Sequence, residues 1–274
     1  MITGVAKTDA GRLLTCIVMQ GYKLSVICPP TEKQLLFRPY CLTNNSRRIV
    51  QTNIYNIPPN ATSMRPSLII DLDGTLLHTN TFRDYLLFCG RSAVHAFRWD
   101  ISVRILFWVM LRKLRIVSHA IMKRHLMQST INFMLGKNRM DDFVEEELLQ
   151  TDERVRKEME HYRNKGHLLI LATAAPAFYA KAIADDLRLD ACLATLLPSE
   201  VVIGHWQENV GEEKVRVLQN FLKQHDLYID AVITDHSDDL PLLRLHPEGP
   251  NLLVRPTPKT ENLIRKEQIV FQTI

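Results

Sequence analysis

Two aspartates separated by a single residue close a short apolar run in the first third of the sequence. Asp71 and Asp73 follow Ser67-Leu-Ile-Ile, and Gly74 and Thr75 come directly after them. In an extended strand end, side chains two residues apart point to one face, and glycine permits the sharp turn that exposes them. One carboxylate can attack while the other transfers a proton, so the stretch favours phosphoryl transfer. Ordinary turns and calcium loops use the same residues, so the rest of the chain must decide.

Polar residues also end two later apolar segments. Thr173 closes the run that starts at Leu168, Asp235 follows 231–234, and Lys214 lies in a helical segment between them. Taken alone, Thr173 is an ordinary strand-end hydroxyl and Lys214 a solvated helix charge. Ligands bind at the carboxyl ends of strands in open α/β sheets. Hydrolysis of a phosphate monoester needs a nucleophile, a proton donor and positive charge, and these segments together supply all three.

Apolar strand segments alternate with helical segments after residue 64. This alternation predicts a parallel sheet that is covered by helices on both faces. A helix should begin near Asn80 or Thr81, because either residue can cap it. The remaining predicted elements are strands at 67–71, 168–173, 231–235 and 252–254, one or two short strands within 190–202, and helices at 177–187 and 211–224.

The sequence divides into three parts. Residues 1–63 lack a sustained helical or strand period and end in a turn-rich stretch, so we predict an N-terminal extension that is disordered or precedes the true start at Met64. An organelle-targeting segment is the alternative, since this part is poor in acidic residues. The predicted core comprises residues 64–87 and 151–274, and a helical insert occupies residues 88–150.

The charge pattern limits the possible partners. Residues 1–63 carry a net charge of +5 and the whole chain +4, so the body is close to neutral, and no nucleic-acid motif is present. Five cysteines without a C-x-x-C pair predict free thiols in a reducing, cytoplasmic compartment rather than a zinc site. The longest uncharged run of the insert is far shorter than the roughly 18–20 apolar residues that span a bilayer, so we predict no transmembrane helix.

Four short segments together resemble the motifs of the haloacid dehalogenase superfamily of phosphohydrolases. They occur in the order of that superfamily: Asp71-Leu-Asp73-Gly-Thr75-Leu, Leu171-Ala-Thr173-Ala-Ala-Pro176, Gly211-Glu-Glu-Lys214-Val and Asp235-His-Ser-Asp-Asp239-Leu-Pro-Leu-Leu. The phosphoserine-phosphatase-like branch is the most similar, since it carries a helical cap between its first two motifs. The resemblance implies an α/β fold in which a Rossmann-like parallel sheet forms the core and an α-helical cap is inserted.

The resemblance also implies a catalytic role for each matching residue. Asp71 would attack phosphorus to give an aspartyl-phosphate, and Asp73 would protonate the leaving group and then activate water. Thr173 would bind a phosphoryl oxygen, and Lys214 would offset the negative charge. Three residues near the first motif either face the substrate or are helix-cap and surface residues, and they stay outside the predicted site: His78, Thr79 and Arg83.

The same resemblance implies a Mg²⁺ cofactor. The metal would be held by the Asp71 carboxylate, the Asp73 backbone carbonyl and Asp235, and Asp239 would lie behind these and act on the metal indirectly or through a water. Oxygen ligands of this kind suit a hard cation that keeps several waters. Asp238 competes with Asp239 as the second acid of the last motif, although the four-residue step favours Asp239. His236 stands where a serine is common in the superfamily, so the hydrogen bonding of this loop can differ.

The predicted activity is Mg²⁺-dependent hydrolysis of a phosphomonoester. Halide-displacing members of the superfamily lack the second aspartate of the first motif, and this chain has Asp73. The alternatives are a phosphotransferase with the same intermediate and a noncatalytic binding module. The substrate would be a small phosphorylated metabolite or the headgroup phosphate of a phospholipid, because the chain is also similar to bacterial phosphatases of phosphatidylglycerophosphate, which have a hydrophobic cap.

The insert itself leaves two interpretations open. Ten basic residues stand between 91 and 139 against the single acid Asp100, and they are interspersed with bulky apolar residues such as Trp99, Phe107 and Trp108. The insert is either a cap with a packed inner face and a solvated basic outer face, or a peripheral membrane surface for anionic phospholipid. In the second case the protein would lie at the inner face of the membrane.

Overall fold

The computed structural model describes the strands at residues 2–7 and 13–18 and all residues in the ranges 64–201 and 206–274. The chain divides into two compact units, Met1–Asn44 and Asn45–Ile274. In the first unit, strand β1 (Ile2–Lys7) pairs antiparallel with strand β2 (Leu13–Val18). These strands occupy part of the predicted N-terminal extension. The rest of residues 1–63 lies outside the described residues, so the disordered extension stays a prediction.

A six-stranded sheet forms the centre of the second unit. Its strands lie in the order β5-β4-β3-β6-β7-β8, and every pairing between neighbours is parallel. The strands are β3 (Arg65–Ile70), β4 (Leu168–Pro176), β5 (Ala191–Thr195), β6 (Leu227–Thr234), β7 (Asn251–Leu253) and β8 (Gln272–Thr273). The parallel sheet confirms the predicted fold class, and the short edge strand β8 was not foreseen from the sequence.

Successive residues of the central strand β3 serve two separate cores. Leu68 and Ile70 pack into one apolar cluster, and Ile69 between them packs into the other, because side chains alternate across a strand. The first cluster is covered by α5 (Glu153–Asn164), α6 (Ala177–Asp186) and the helical insert. The second is covered by α7 (Glu212–Gln224), α8 (Leu240–Leu243) and α9 (Pro258–Lys266). Burial on both faces explains why β3 reads as a continuous apolar run.

The helical insert consists of four helices between β3 and α5. They are α1 (Thr81–His95), α2 (Trp99–Lys113), α3 (His119–Met134) and α4 (Arg139–Leu148). Asn80, one of the two predicted cap residues, caps α1 by accepting a hydrogen bond from the Arg83 backbone N–H at 3.0 Å. The predicted boundary at residue 88 lies inside α1, whereas the boundary at residue 150 lies in the turn between α4 and α5.

The insert and the core share one continuous apolar cluster. Tyr85 of α1 contacts Phe143 of α4 with ring centroids 5.7 Å apart, and Tyr179 of α6 at 5.6 Å. Aromatic pairs at this spacing add to the stability that burial gives. None of the helices in the described part of the chain combines the length and hydropathy that a transmembrane helix needs.

Candidate active site

The loop after β3 brings the first motif to the carboxyl edge of the sheet. The Asp71 backbone N–H donates to the Ile233 carbonyl of β6 at 3.0 Å, which fixes the loop against the neighbouring strand. Gly74 has a φ of +77°, and a Cβ at this position would lie only 2.3 Å from Asp235 Oδ2. Glycine is therefore required here both for its backbone conformation and for the approach of the Asp235 carboxylate.

Lys214 joins two buried carboxylates from different loops. Its Nζ lies 2.9 Å from Asp71 Oδ1 and 2.5 Å from Asp239 Oδ1, and the second oxygen of Asp239 accepts a hydrogen bond from Thr234 Oγ1 at 2.7 Å. Only 4% of the Lys214 side chain is exposed. Burial disfavours the ammonium, but Asp239 and Asp71 outweigh it and raise the pKa of Lys214, so the lysine stays charged.

Burial and the neighbouring charges together set the pKa of the Asp71 carboxyl group. Burial raises the pKa of Asp71 to about 7, Lys214 opposes this shift, and Asp239 adds to it. One Asp71 oxygen accepts the hydrogen bond from Lys214, and the other lies 3.4 Å from Thr75 Oγ1. An ionised Asp71 thus depends on cationic charge around it, from Lys214 and from any bound cation.

The Asp73 carboxylate bonds to the start of helix α1 rather than to Lys214. Its Oδ1 accepts a hydrogen bond of 2.6 Å from the Thr81 backbone N–H, the first residue of α1, where the helix dipole favours negative charge. Burial nevertheless raises the pKa of Asp73, and the bond from Thr81 only partly lowers it. A carboxyl group with a raised pKa at a fixed position is suited to general acid and base chemistry.

Thr75 brings Asp235 to the side of Asp71. Its hydroxyl lies 3.2 Å from Asp235 Oδ1, and burial raises the pKa of Asp235. Among the described residues, no cluster of three or more His, Cys, Asp or Glu side chains is arranged to hold a metal. The Asp71 and Asp235 carboxylates, both within reach of the Thr75 hydroxyl, are oxygen donors of the kind that Mg²⁺ takes, since this ion keeps several waters and uses one or two carboxylates.

Thr173 lies on β4, beside β3, and is 1% exposed. Its Oγ1 accepts a hydrogen bond from the Ala175 backbone N–H at 3.0 Å, and its carbonyl accepts one from Asn209 Nδ2 at 3.0 Å. The structure therefore brings Asp71, Asp235, Asp239 and Lys214 into one hydrogen-bonded cluster, and it places Asp73 and Thr173 on neighbouring segments of the same edge.

The structure also separates the competing residues of the last motif. Asp239 is buried in the cluster, whereas the side chain of Asp238 is 70% exposed. His236 caps a short 3-10 turn, where its Nδ1 accepts a hydrogen bond from the Asp238 backbone N–H at 3.1 Å. Thr79 donates to Glu147 Oε2 at 2.8 Å, and the exposed Arg83 pairs with its half-buried neighbour Asp84, so both have structural partners.

Sequence reasoning missed a lysine of the insert that contacts the core beside the site. Lys123 on α3 is 3% exposed, and its Nζ lies 2.8 Å from the Ala174 carbonyl and 2.6 Å from Glu208 Oε1. Burial opposes ionisation of Glu208, but bonding to His119 and Lys123 lowers the pKa of its carboxyl to about 2. No sequence signal distinguishes Lys123 from the nine other basic residues of the insert, because its partner is far away in the chain.

A profile of the haloacid dehalogenase-like hydrolase family matches residues 68–244. No curated protein sequence matches the chain significantly.

Several solved structures share the fold. A protein of unknown function from Bordetella pertussis Tohama I has a TM-score of 0.61 at 16% identity, covering 77% of this chain and 99% of that one. A probable phosphoserine phosphatase from Vibrio cholerae has a TM-score of 0.52 at 14% identity, covering 77% and 60%, respectively. A haloacid dehalogenase family hydrolase from Salmonella enterica serovar Typhi has a TM-score of 0.51 at 12% identity, covering 77% of this chain and 68% of that one. At such identities the likeness shows a common fold.

Proposed function

Because the chain belongs to the haloacid dehalogenase-like hydrolase family, we propose that it is a phosphomonoester hydrolase with Asp71 as its nucleophile. The observation that carries the proposal is the bond from Lys214 to both Asp71 and Asp239 in a buried position. A solvated helix lysine would not meet two carboxylates from separate loops. Here it supplies the positive charge that phosphoryl transfer requires at the attacking carboxylate.

The reaction has two balanced steps. In the first, an Asp71 oxygen forms a bond to phosphorus while the ester P–O bond breaks, and Asp73 gives its proton to the leaving oxygen. In the second, Asp73 takes a proton from water as the water oxygen attacks phosphorus, and the bond to Asp71 breaks to release inorganic phosphate. The Thr81 N–H holds Asp73 in position for both transfers. Thr173 would bind a phosphoryl oxygen through its hydroxyl.

Mg²⁺ is the cofactor of this proposal. Asp71, Asp235 and the Asp73 backbone carbonyl would hold it, and when bound it would neutralise charge on the phosphoryl oxygens. Thr75 supports this assignment, because its hydroxyl lies close to both Asp71 and Asp235. Both Asp239 oxygens already accept hydrogen bonds within the chain, so Asp239 would act by positioning Lys214.

The substrate is a small phosphorylated metabolite or the headgroup phosphate of an anionic phospholipid. Helix α2 supports membrane contact, since most of its large apolar side chains are exposed, among them Trp99, Val103, Phe107 and Met110. Basic residues on the same helix, Arg104, Arg112 and Lys113, complement anionic headgroups. The alternative is a cap with a packed inner face and a solvated basic outer face, which would not bind liposomes. Co-sedimentation with anionic liposomes at low and high salt tests the contact, and absence of binding at low salt would contradict it.

A reducing, cytoplasmic location at the inner face of a membrane belongs to the same proposal. Of the cysteines in the described part of the chain, Cys89 and Cys192 are free thiols. Burial raises the pKa of both thiols to about 12, so neither is poised for thiolate chemistry.

Two alternatives share the fold. A phosphotransferase would use the same intermediate and pass the phosphoryl group to an alcohol instead of water. A noncatalytic module would need neither Lys214 nor Asp73 at these positions.

The test is a Mg²⁺-dependent phosphatase screen that includes phosphorylated lipids. Asp71→Asn keeps the shape of the side chain and removes the nucleophile, so we expect kcat to fall by at least about 10³-fold. Asp238→Asn is the matched control, since Asp238 is exposed and outside the cluster. Product analysis with an added alcohol separates hydrolysis from transfer. Equal activity in wild type and Asp71→Asn would overturn the mechanism.

A further inference from the structure

A large groove lies between the first three helices of the insert. Its volume is about 890 Å³, which is within the range of roughly 300–1,000 Å³ that is typical of small-molecule sites. The proposed phosphoryl-transfer chemistry does not use this space. One end is formed by Asn80, Phe82, His119 and Met122, which neighbour Thr81 and Lys123 in the chain. Because Thr81 bonds to Asp73, this end adjoins the candidate active site.

The walls of the groove are almost wholly hydrocarbon. They are formed by apolar side chains of α1, α2 and α3, chiefly Leu86, Leu87, Ile105, Leu106, Val109 and Met122. Leu87 and Leu106 are 59% and 68% exposed although they line a cavity, so they are available to a ligand. A cavity with apolar walls of this kind suits an aliphatic chain, because removal of hydrocarbon from water is favourable.

The charges around the groove are cationic. Among the described residues that line it, none is acidic, while several are basic: Arg83, Arg91, Arg112 and Lys113. Only three residues connect α1 to α2, so the two helices run in opposite directions, and the end of α2 lies near the start of α1. This arrangement puts Arg112 and Lys113 near the end that Asn80 and Arg83 form. Arg91 lies toward the other end, beside Gly90, and pairs with Glu146 at 3.0 Å, so Arg112 and Lys113, which form no ion pair with a described residue, make the groove more basic toward the active site.

We propose that this groove binds the hydrocarbon chain of a phosphorylated amphiphile whose phosphate lies at Asp71. The inference rests on the proposed function, because it assigns the phosphate end of the ligand to that site. It goes further by naming the substrate class: a phosphomonoester that carries an aliphatic chain, rather than a small polar metabolite. Charge complementarity orients the ligand, with its anionic head at the basic end and its chain between α1 and α2.

Gly90 provides a way to shorten the groove. It lines the cavity on α1, and Ser102 Oγ of α2 donates to its carbonyl at 3.2 Å, so it lies toward the end away from Asn80. A Cβ added at Gly90 would have no heavy atom within 4 Å, and a larger side chain would therefore extend into open space. Gly90→Leu should reduce the chain length that fits without disturbing the packing around it.

The experiment measures binding of n-alkyl phosphonates by calorimetry in Mg²⁺ buffer. Their P–C bond resists hydrolysis, so affinity is read without turnover, from butyl to octyl phosphonate below their micelle concentrations. In the wild type we expect each added methylene to tighten binding about two- to four-fold, the upper value corresponding to ~0.8 kcal/mol per buried methylene. In Gly90→Leu the increase should stop at a shorter chain. Gln128→Leu, an exposed position on α3 outside the groove, should retain the wild-type series.

The outcomes separate this inference from the proposed function. Affinity that does not depend on chain length in the wild type, or that changes equally in Gly90→Leu and Gln128→Leu, would overturn the groove assignment. If Gly90→Leu fails to fold by circular dichroism, Leu106→Asp is used instead and should abolish the chain-length dependence. Hydrolysis of butyl phosphate without chain dependence would support the phosphatase and reject the groove. Binding that depends on chain length, without hydrolysis of any phosphomonoester, would support the groove and reject the phosphatase. If the protein binds vesicles but its affinity for phosphonates does not depend on chain length, the insert contacts a membrane surface and does not bind a hydrocarbon chain in the groove.

Discussion

Replacing Lys214 by methionine tests the buried charge cluster at the centre of the site. Methionine has a similar length but no charge, so Lys214→Met leaves Asp71 and Asp239 facing each other without a cation. The ammonium makes hydrogen bonds of 2.9 Å and 2.5 Å to these carboxylates. Each bond to a charged group contributes about 1.5–3 kcal/mol, and breaking a buried ion pair from one side typically costs about 3–5 kcal/mol. We therefore expect a destabilisation of about 3–5 kcal/mol.

The measurement is the free energy of unfolding in urea, together with Tm, in the presence of EDTA so that no bound cation replaces the lost charge. For a unit of this size, each kcal/mol shifts Tm by roughly 2–4 °C, so the expected fall is about 6–20 °C. Lys223→Met is the matched control, because Lys223 lies exposed in the last turn of the same helix. Its cost should stay within about 0.5 kcal/mol. Equal destabilisation of the two variants would refute the view that Lys214 neutralises the cluster.

Two further predictions concern the metal loop and the contact between insert and core. Gly74→Ala should weaken Mg²⁺ activation, since its Cβ would meet the Asp235 carboxylate. Gly166→Ala is the control, because Gly166 has a φ of +84° and no heavy atom of the described residues lies within 4 Å of its Cβ. This control should carry only backbone strain of about 1–2 kcal/mol. The comparison is made from the Mg²⁺ concentration for half-maximal activity, and equal values for both variants would contradict the close approach. Glu208→Gln should lower stability by about 1.5–3 kcal/mol at pH 7, because Glu208 is bonded to the buried Lys123. The pKa of Glu208 falls from 4.5 to about 2 on folding, so its contribution is complete above pH 4.5 and is lost as the pH falls through 2. A difference between wild type and Glu208→Gln that did not shrink over this interval in urea titrations would refute the assignment.

The positions of the strands were predictable because buried parallel strands have a simple signature. The run before Asp71 and the run before Thr173 are apolar on both faces, and both proved to be adjacent central strands. The cap at Asn80 was predictable for a local reason, since its side chain bonds to a backbone N–H three residues away. The predicted limit of the insert at residue 88 falls within α1, a continuous helix whose buried side chains belong to the cluster that core and insert share.

Contacts between distant segments could not be predicted in the same way. Nothing near Lys123 indicates that its ammonium reaches Ala174 and Glu208, which lie 51 and 85 residues away. The four-residue step favoured Asp239 over Asp238, but that the Asp239 side chain turns toward Lys214 follows only from the folded loop after β6. The groove of the insert arises from the packing of three helices and has no motif in the sequence.

The sequence by itself determined the fold class, the order of the central strands along the chain, the acidic and hydroxyl residues at the ends of these strands, and the lysine on the helix between two of them. These properties depend on local periodicity and on residue types, which a linear chain displays directly. The tertiary structure decided which of these groups meet. It placed Lys214 between Asp71 and Asp239, set Asp235 against Gly74, and joined α3 to the core through Lys123. Such contacts depend on how the sheet and helices pack, because side chains far apart in the chain are brought within hydrogen-bonding distance only when the elements that carry them are assembled.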